Sequence, residues 1–177
     1  NYSKQEMCQL ISESFDSGIN SFDHADIYGG YTTEESFGDA FIDTGIKRED
    51  VFFISKCGIM YPSEKLPIKT KHYDYSEDHI NKSVDNSLKN LRTDYLDCLL
   101  LHRPSPLMDI SIISNTVKRL IKNGKIKSMS EECKKYHQKM KGEESEIEEE
   151  EPVTESEEDE SEIDEEPVSK EVEGDDS

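Results

Sequence analysis

Apolar residues recur along the first 129 positions of the chain with two different spacings. A spacing of three or four residues predicts four helices, at 4–17, 34–43, 77–91 and 109–123. Short apolar runs between them predict three strands, at 19–22, 51–55 and 96–101, and a fourth strand beginning at 125–127. Because a helix stands between successive strands, we expect right-handed crossovers and a parallel sheet. The pattern alone does not separate a doubly wound sheet from a barrel.

Several of these boundaries carry turn or capping signals. Thr33 and Ser76 precede acidic residues and are predicted helix N-caps. Gly45 and Gly124 follow the last apolar positions of their helices, where a glycine commonly ends a helix. Residues 57–75 are predicted to form a longer loop. Since this loop follows a strand, it would lie on the ligand face of a barrel.

Charge divides the chain into a neutral part and an acidic part. Residues 143–177 hold 20 of the 41 acidic residues and one base, Lys170, so residues 1–142 carry a net charge of only −1. Such a dense charge run cannot bury enough apolar surface to offset its chain entropy. The composition therefore predicts a folded α/β region over 1–129, a linker or charged helix over 130–142, and a disordered acidic tail over 143–177.

Composition also argues against several classes of function. No basic, aromatic-rich segment suggests nucleic-acid binding, and the tail would repel phosphates. No signal peptide is visible, and no apolar run is long enough to span a bilayer. Four scattered cysteines lack the spacing of a metal site: Cys8, Cys57, Cys98 and Cys133. We therefore expect reduced thiols, no bound metal and a cytoplasmic location.

Ionisable residues stand at the ends of three predicted strands. Asp23, Lys56 and His102 each follow an apolar strand segment, and Tyr28 lies five residues beyond Asp23. The carboxyl ends of parallel strands meet at one edge, so these side chains should share a pocket. A lysine ammonium beside a tyrosine hydroxyl favours its ionised form, and a carboxylate would hold that lysine in place. A histidine can orient an oxygen or relay a proton, so the set suits proton transfer at a carbonyl while a cofactor handles hydride.

Other polar residues near these strand ends have separate expected roles. Asp26 is expected to hydrogen-bond locally within its own loop, and Arg103 to line the site. His24, His72 and His79 are expected to be surface or capping histidines, because none has metal-ligating partners at a suitable spacing.

The strand-end motifs resemble those of a known family. These motifs are Phe22-Asp23-His24-Ala25-Asp26-Ile27-Tyr28-Gly29, Ser55-Lys56, Asp94-Tyr95-Leu96-Asp97 and Leu101-His102-Arg103-Pro104. Together they resemble the aldo-keto reductase family, in its branch of bacterial-type NADP-dependent oxidoreductases. The resemblance covers roughly residues 3–129. It implies a partial (β/α)₈ TIM barrel, holding about strands 2–5 of the family's barrel.

The resemblance also assigns roles to four residues. It implies that Tyr28 is the general acid in reduction, that Lys56 assists it, and that His102 positions the carbonyl. Asp23 would anchor Lys56 and lie close to the nicotinamide ribose, which makes it the expected cofactor-binding residue. The implied cofactor is NADP(H), and the implied substrate is a small carbonyl compound or alcohol.

The resemblance stops near residue 129. Gly124–Met129 follows the segment that opens the family's fifth strand, but Ser130–Lys135 lacks the Gly-x-Ser-Asn sequence that holds the nicotinamide carboxamide. The later strands that grip most of the cofactor have no counterpart. We therefore expect the chain alone to bind NADPH weakly or not at all and to reduce no carbonyl substrate. Two alternatives stay open: an interaction protein whose acidic tail binds basic partners, and a regulatory, cofactor-sensing barrel.

Overall fold

The structure is a computed structural model that describes residues 2–103 and 105–129. The described residues form four α-helices: α1 (Lys4–Asp16), α2 (Thr33–Thr44), α3 (Glu77–Asn90) and α4 (Ile110–Lys122). They also form six strands: β1 (Ser21–Asp23), β2 (Phe52–Cys57), β3 (Ile59–Met60), β4 (His72–Tyr73), β5 (Leu96–Leu101) and β6 (Ile126–Met129). The predictions made for 130–142 and 143–177 lie outside the described residues.

The main sheet has four parallel strands in the order β1-β2-β5-β6. Each new strand is added on the same side of the one before it. A doubly wound sheet instead reverses direction at a switch point. The helices follow the same progression, since α1 contacts α2, α2 contacts α3, and α3 contacts α4. The described part of the chain is therefore an α/β fold with the strand progression of a barrel.

The core lies between the sheet and the helices. The strands contribute Phe53, which is fully buried, and the nearly buried Leu99. Helices α3 and α4 contribute Ile80 and Leu120, respectively. Burial of side chains of this size stabilises a fold by about 1.5–3 kcal/mol each.

The opposite face of the sheet is more open. Side chains alternate along a strand, so the neighbours of Phe53 in β2 point away from the helices. Of these, Phe52 is 40% exposed and Ile54 is half-buried. Leu100, in β5, is also half-buried. The candidate site residues described below share this open face.

A buried ionic cluster connects the beginnings of β2 and β5. The Arg48 guanidinium lies 4.2 Å from the ring centroid of Phe53 and 4.1 Å from that of Tyr95. It donates a 2.7 Å hydrogen bond to the carboxylate of Asp97, which also accepts one from the Phe53 backbone N–H at 2.9 Å. Since Asp97 is only 4% exposed, its charge depends on these donors for compensation.

Two predicted boundaries differ from the structure. Helix α2 includes Thr33, and its N-cap is Thr32, whose hydroxyl donates to the Gly29 carbonyl instead of capping the helix. The loop at 57–75 contains the antiparallel pair β3–β4, in which Ile59 is opposite Tyr73. Strands of two residues are too short to show a period in the sequence. By contrast, Ser76 caps α3 as predicted, accepting from the His79 N–H.

Candidate active site

The strand register brings Asp23, Lys56 and His102 to one face of the sheet. Asp23 pairs directly with Ile54, and Lys56 is the next residue of β2 on the same face. Lys56 pairs with Leu100, and His102 is the next residue beyond it in the same alternation. The His102 N–H donates to the Cys57 carbonyl at 2.8 Å, which extends the β2–β5 ladder past the end of the strand. Three neighbouring strands therefore carry the predicted side chains to one edge.

The Lys56 ammonium connects two of the other predicted site residues. Its Nζ donates to Asp23 Oδ1 at 2.5 Å, to the His24 carbonyl at 3.0 Å and to the Tyr28 hydroxyl at 3.4 Å. A lysine has three N–H donors and no acceptor, so all three donors are used. The Lys56 side chain is only 13% exposed, whereas that of Asp23 is 57% exposed. Lys56 is therefore held in one position, with its carboxylate partner open to the face of the sheet.

Tyr28 begins a single 3₁₀ turn after β1. Its N–H donates to the Ala25 carbonyl at 3.1 Å, and its own carbonyl accepts from Thr32 at 3.2 Å. The side chain is 38% exposed, so its hydroxyl is accessible from the open face. Since Lys56 can only donate, the Tyr28 oxygen is the acceptor in their contact, and the hydroxyl proton is free to point elsewhere.

His102 completes the group. Its ring lies edge-on to that of Tyr28, with 6.0 Å between the centroids. Burial, together with the nearby positive charges of Lys56 and Arg103, lowers the pKa of His102 below its ordinary value. The imidazole is therefore neutral at neutral pH, so one ring nitrogen donates and the other accepts.

Three secondary predictions near the site have different outcomes. The prediction of His24 as a surface or capping residue is wrong: it is 5% exposed and packs 4.4 Å from the Phe37 ring centroid, and its burial lowers its pKa to about 4. Strand alternation could have revealed the burial of His24, because Asp23 faces the open side and the next residue points to the opposite face. The carboxylate of Asp26 accepts from the Ile27 backbone, within its own loop as predicted, and also from Ser83 of α3 at 2.7 Å. Arg103 is exposed beside His102.

Sequence reasoning missed one residue beside the site. The Tyr75 hydroxyl lies 2.9 Å from the carbonyl oxygens of both His102 and Arg103, where it donates. Tyr75 immediately precedes the N-cap of α3, and nothing in the local pattern points to a contact 27 residues away. Only the fold reveals it.

The described residues contain neither a metal-binding cluster nor a membrane-spanning helix. In the ranges 2–103 and 105–129, no group of three or more His, Cys, Asp or Glu side chains could hold a metal ion. No helix in these ranges is both long and apolar enough to cross a bilayer.

The open face leaves two of these groups accessible. The Asp23 side chain is 57% exposed and Tyr28 is 38% exposed, and both contact the Lys56 ammonium. A carboxylate can accept hydrogen bonds from sugar hydroxyls, whereas a hydroxyl and an imidazole can donate to a carbonyl oxygen. Asp23, Tyr28 and His102 are thus the residues that could contact a cofactor and a substrate on this face.

An α/β fold with parallel strands and an Asp-Tyr-Lys-His set at the strand ends defines a class of barrel oxidoreductases. The model of the aldo/keto reductase family matches residues 1–143 of this chain. The chain therefore belongs to the aldo/keto reductase family, which confirms the resemblance inferred from its motifs.

Relatives and solved structures agree with this assignment. The chain is 45% identical over 139 residues to the uncharacterized oxidoreductase YcsN of Bacillus subtilis, covering 78% of this chain and 46% of YcsN. It is 40% identical over 113 residues to a 6-dehydroglucose reductase of Agrobacterium fabrum, covering 63% of this chain and 38% of that reductase. The chain superposes on the holo form of the aldo-keto reductase AKR11C1 of Bacillus halodurans with a TM-score of 0.63 at 25% identity. The superposition covers 73% of this chain and 42% of AKR11C1. The chain thus spans less than half the length of these relatives.

Proposed function

We propose that this chain carries the proton-transfer residues of an NADP(H)-dependent aldo-keto reductase that acts on small carbonyl compounds or alcohols. The observation that supports the proposal is the position of Lys56, which contacts both Asp23 and Tyr28 while His102 lies against the Tyr28 ring. The family membership supports the same class of reaction.

Tyr28 is the proposed general acid. Its oxygen accepts from Lys56, so its proton can be directed at a substrate carbonyl oxygen on the open face. When that proton leaves, the Lys56 ammonium stabilises the remaining phenolate by direct electrostatic attraction. Asp23 keeps the ammonium in position during the transfer. In the direction of alcohol oxidation the Tyr28 phenolate oxygen would receive the proton.

His102 is the proposed substrate-positioning group. As a neutral imidazole it can donate one hydrogen bond to the same substrate oxygen, which fixes that oxygen near the Tyr28 hydroxyl. NADPH, when bound, supplies hydride to the carbonyl carbon. Asp23 would lie close to the nicotinamide ribose, as the resemblance implies.

The substrate class is proposed from chemistry and from the relatives. A relative named 6-dehydroglucose reductase indicates that carbonyl groups on sugars belong among the compounds to be tested. The two alternatives from the sequence remain predictions: a tail-mediated interaction protein depends on residues outside the described ranges, and a cofactor-sensing role would retain binding without turnover.

The test is NADPH oxidation by the full chain at millimolar cofactor, with small aldehydes and a keto-sugar as substrates. Since the chain spans less than half the length of its relatives, we expect little or no turnover by the chain alone. Any turnover that occurs should depend on Tyr28, so Tyr28→Phe should reduce its kcat by about 10²- to 10⁴-fold, the usual contribution of a general acid. NADPH fluorescence titration should give similar affinity for both chains. A matched control is Tyr61→Phe, since Tyr61 is 48% exposed and outside this group of residues.

The alternatives give different results in the same assay. Equal rates for Tyr28→Phe and the unmodified chain would contradict the assignment of Tyr28. Absence of NADPH oxidation would agree with the inactive fragment expected from the sequence, whereas rapid turnover of these substrates would contradict that expectation. NADPH binding without turnover in the unmodified chain would favour the cofactor-sensing role.

A further inference from the structure

The backbone immediately after β5 adopts an unusual conformation. Arg103 has a φ of 64°, in the left-handed region that side chains other than glycine rarely adopt. This residue directly follows His102. A left-handed non-glycine residue persists only where surrounding contacts hold it, so the contacts at this turn require explanation.

Tyr75 makes those contacts. Its hydroxyl lies 2.9 Å from the His102 carbonyl oxygen and 2.9 Å from the Arg103 carbonyl oxygen. Because a phenol has one proton, these two carbonyls share a single donor. The His102 N–H is held separately by the Cys57 carbonyl at 2.8 Å. The peptide groups on both sides of His102 are therefore fixed, one by β2 and the other by Tyr75.

The position of the Tyr75 ring is itself determined by Gly58. A Cβ atom built on Gly58 would overlap the Tyr75 ring, and Gly58 has a φ of +114°. The ring therefore packs directly on the backbone that follows β2, two residues after Lys56. Tyr75 thus connects the end of the strand that carries Lys56 to the turn that carries His102.

We propose that Tyr75 is a positioning residue for His102, and that its hydroxyl sets the orientation of the imidazole beside Tyr28. The expected effect of Tyr75 on catalysis rests on the proposed function. The expected effect on structure does not depend on that function. Without the hydroxyl, the His102–Arg103 turn loses its shared donor, and the imidazole becomes more mobile and more hydrated.

The test uses Tyr75→Phe in the full chain, because phenylalanine keeps the ring on Gly58 and removes only the hydroxyl. NMR of the imidazole resonances measures the titration of His102 without requiring turnover. We expect its midpoint to rise toward the ordinary value of 6.5, because the ring becomes less desolvated.

Tyr73→Phe is the matched control. Its ring stacks against that of Tyr75 with 6.2 Å between the centroids and is 44% exposed, so the substitution removes a neighbouring hydroxyl that does not contact the turn. A second variant, Gly58→Ala, displaces the Tyr75 ring while keeping its hydroxyl, and should change the His102 titration in the same direction. An unchanged His102 titration in either folded variant would overturn the proposal.

Kinetics separate this inference from the proposed function. Where the unmodified chain turns over, Tyr75→Phe should lower kcat by roughly 10- to 100-fold, the effect of a small displacement of a positioned group, while the KM for NADPH stays within about twofold. A changed His102 titration with no turnover in the unmodified chain would support the positioning role and contradict the reductase proposal. If Tyr75→Phe changes the His102 titration but leaves kcat unchanged, Tyr75 does not contribute to catalysis.

Discussion

Replacement of Asp97 by alanine should strongly destabilise the chain, although Asp97 lies outside the candidate site. Asp97 is 4% exposed and accepts from Arg48 at 2.7 Å and from the Phe53 N–H at 2.9 Å. Alanine leaves the Phe53 N–H buried and unsatisfied, which costs about 1–3 kcal/mol. It also leaves the Arg48 guanidinium, only 17% exposed, without its counter-ion.

The expected loss follows from these two effects. Removal of one partner from a buried ion pair destabilises by about 3–5 kcal/mol. A typical domain is stable by only about 5–15 kcal/mol, so this single change removes a large fraction of the total. Asp97→Asn keeps one acceptor oxygen in place and should cost less than alanine, because the Phe53 N–H can remain bonded.

Urea unfolding monitored by circular dichroism provides the measurement. We expect a lower midpoint with an unchanged slope, which identifies a change in stability and not in the surface exposed. The control is Asp43→Ala, which removes an ion pair to Lys4 whose side chains are both about half exposed and should leave the midpoint unchanged. If Asp97→Ala unfolds at the same urea concentration as Asp43→Ala, the argument from burial is refuted.

The pH dependence gives an independent check on Asp97. Burial opposes ionisation, but the Phe53 N–H and the Arg48 guanidinium outweigh it and hold the pKa of Asp97 below its ordinary value. A lowered pKa means that the carboxylate stabilises the fold above the unfolded-state value near 4, and that this contribution disappears as the pH falls through the folded-state pKa. The stability difference between the unmodified chain and Asp97→Asn should therefore shrink in acid.

Three further predictions concern the layer between sheet and helices. Gly38→Ala should destabilise by about 1–3 kcal/mol in urea unfolding, because the new Cβ would overlap the backbone at the end of α3. His24, whose pKa burial lowers to about 4, should titrate near that pH by NMR, and its stabilising contribution, about 3 kcal/mol, should fade as the pH drops from 6.5 toward 4. Burial raises the pKa of Asp26 to about 7, so Asp26→Asn, which keeps the acceptor for Ser83, should raise the melting temperature at pH 8 but not at pH 4.

Much of the fold was predictable because its elements are regular. Apolar spacing located all four helices of the described ranges to within a few residues, and β5 was predicted with its observed bounds, Leu96–Leu101. The alternation of elements could not separate a barrel from a doubly wound sheet, because both alternate strand and helix. Only the strand-end motifs, through their family resemblance, favoured the barrel, and the strand order agrees with it. The pair β3–β4 escaped detection because two residues carry no period. The cap of α2 was misplaced by one residue because adjacent threonines offer two equivalent hydroxyls.

The residues of the candidate site could be predicted from the sequence, but the hydrogen bonds that hold them could not. Asp23, Lys56 and His102 stand at strand ends, a position that the chain order itself reveals, and parallel register then brings them together. The supporting contacts of Asp26 and Tyr75 join residues far apart in the chain, and no local pattern encodes them.

These supporting contacts explain why the site geometry persists on a partly open sheet. The face that carries Lys56 has few neighbours, so its order cannot come from packing on that side alone. Part of the order of the site comes from the helix side of the sheet. There the Asp26 N–H donates to the Lys56 carbonyl at 3.0 Å, and the Asp26 carboxylate accepts from Ser83 of α3. Tyr75 does the same for the turn after β5. The helix layer and the Tyr75 hydroxyl therefore hold the backbone of the site in place, whereas Asp23, the His24 carbonyl and Tyr28 hold the Lys56 ammonium. Substitutions in that layer should move His102 and Tyr28 more than substitutions of Phe52 on the open face.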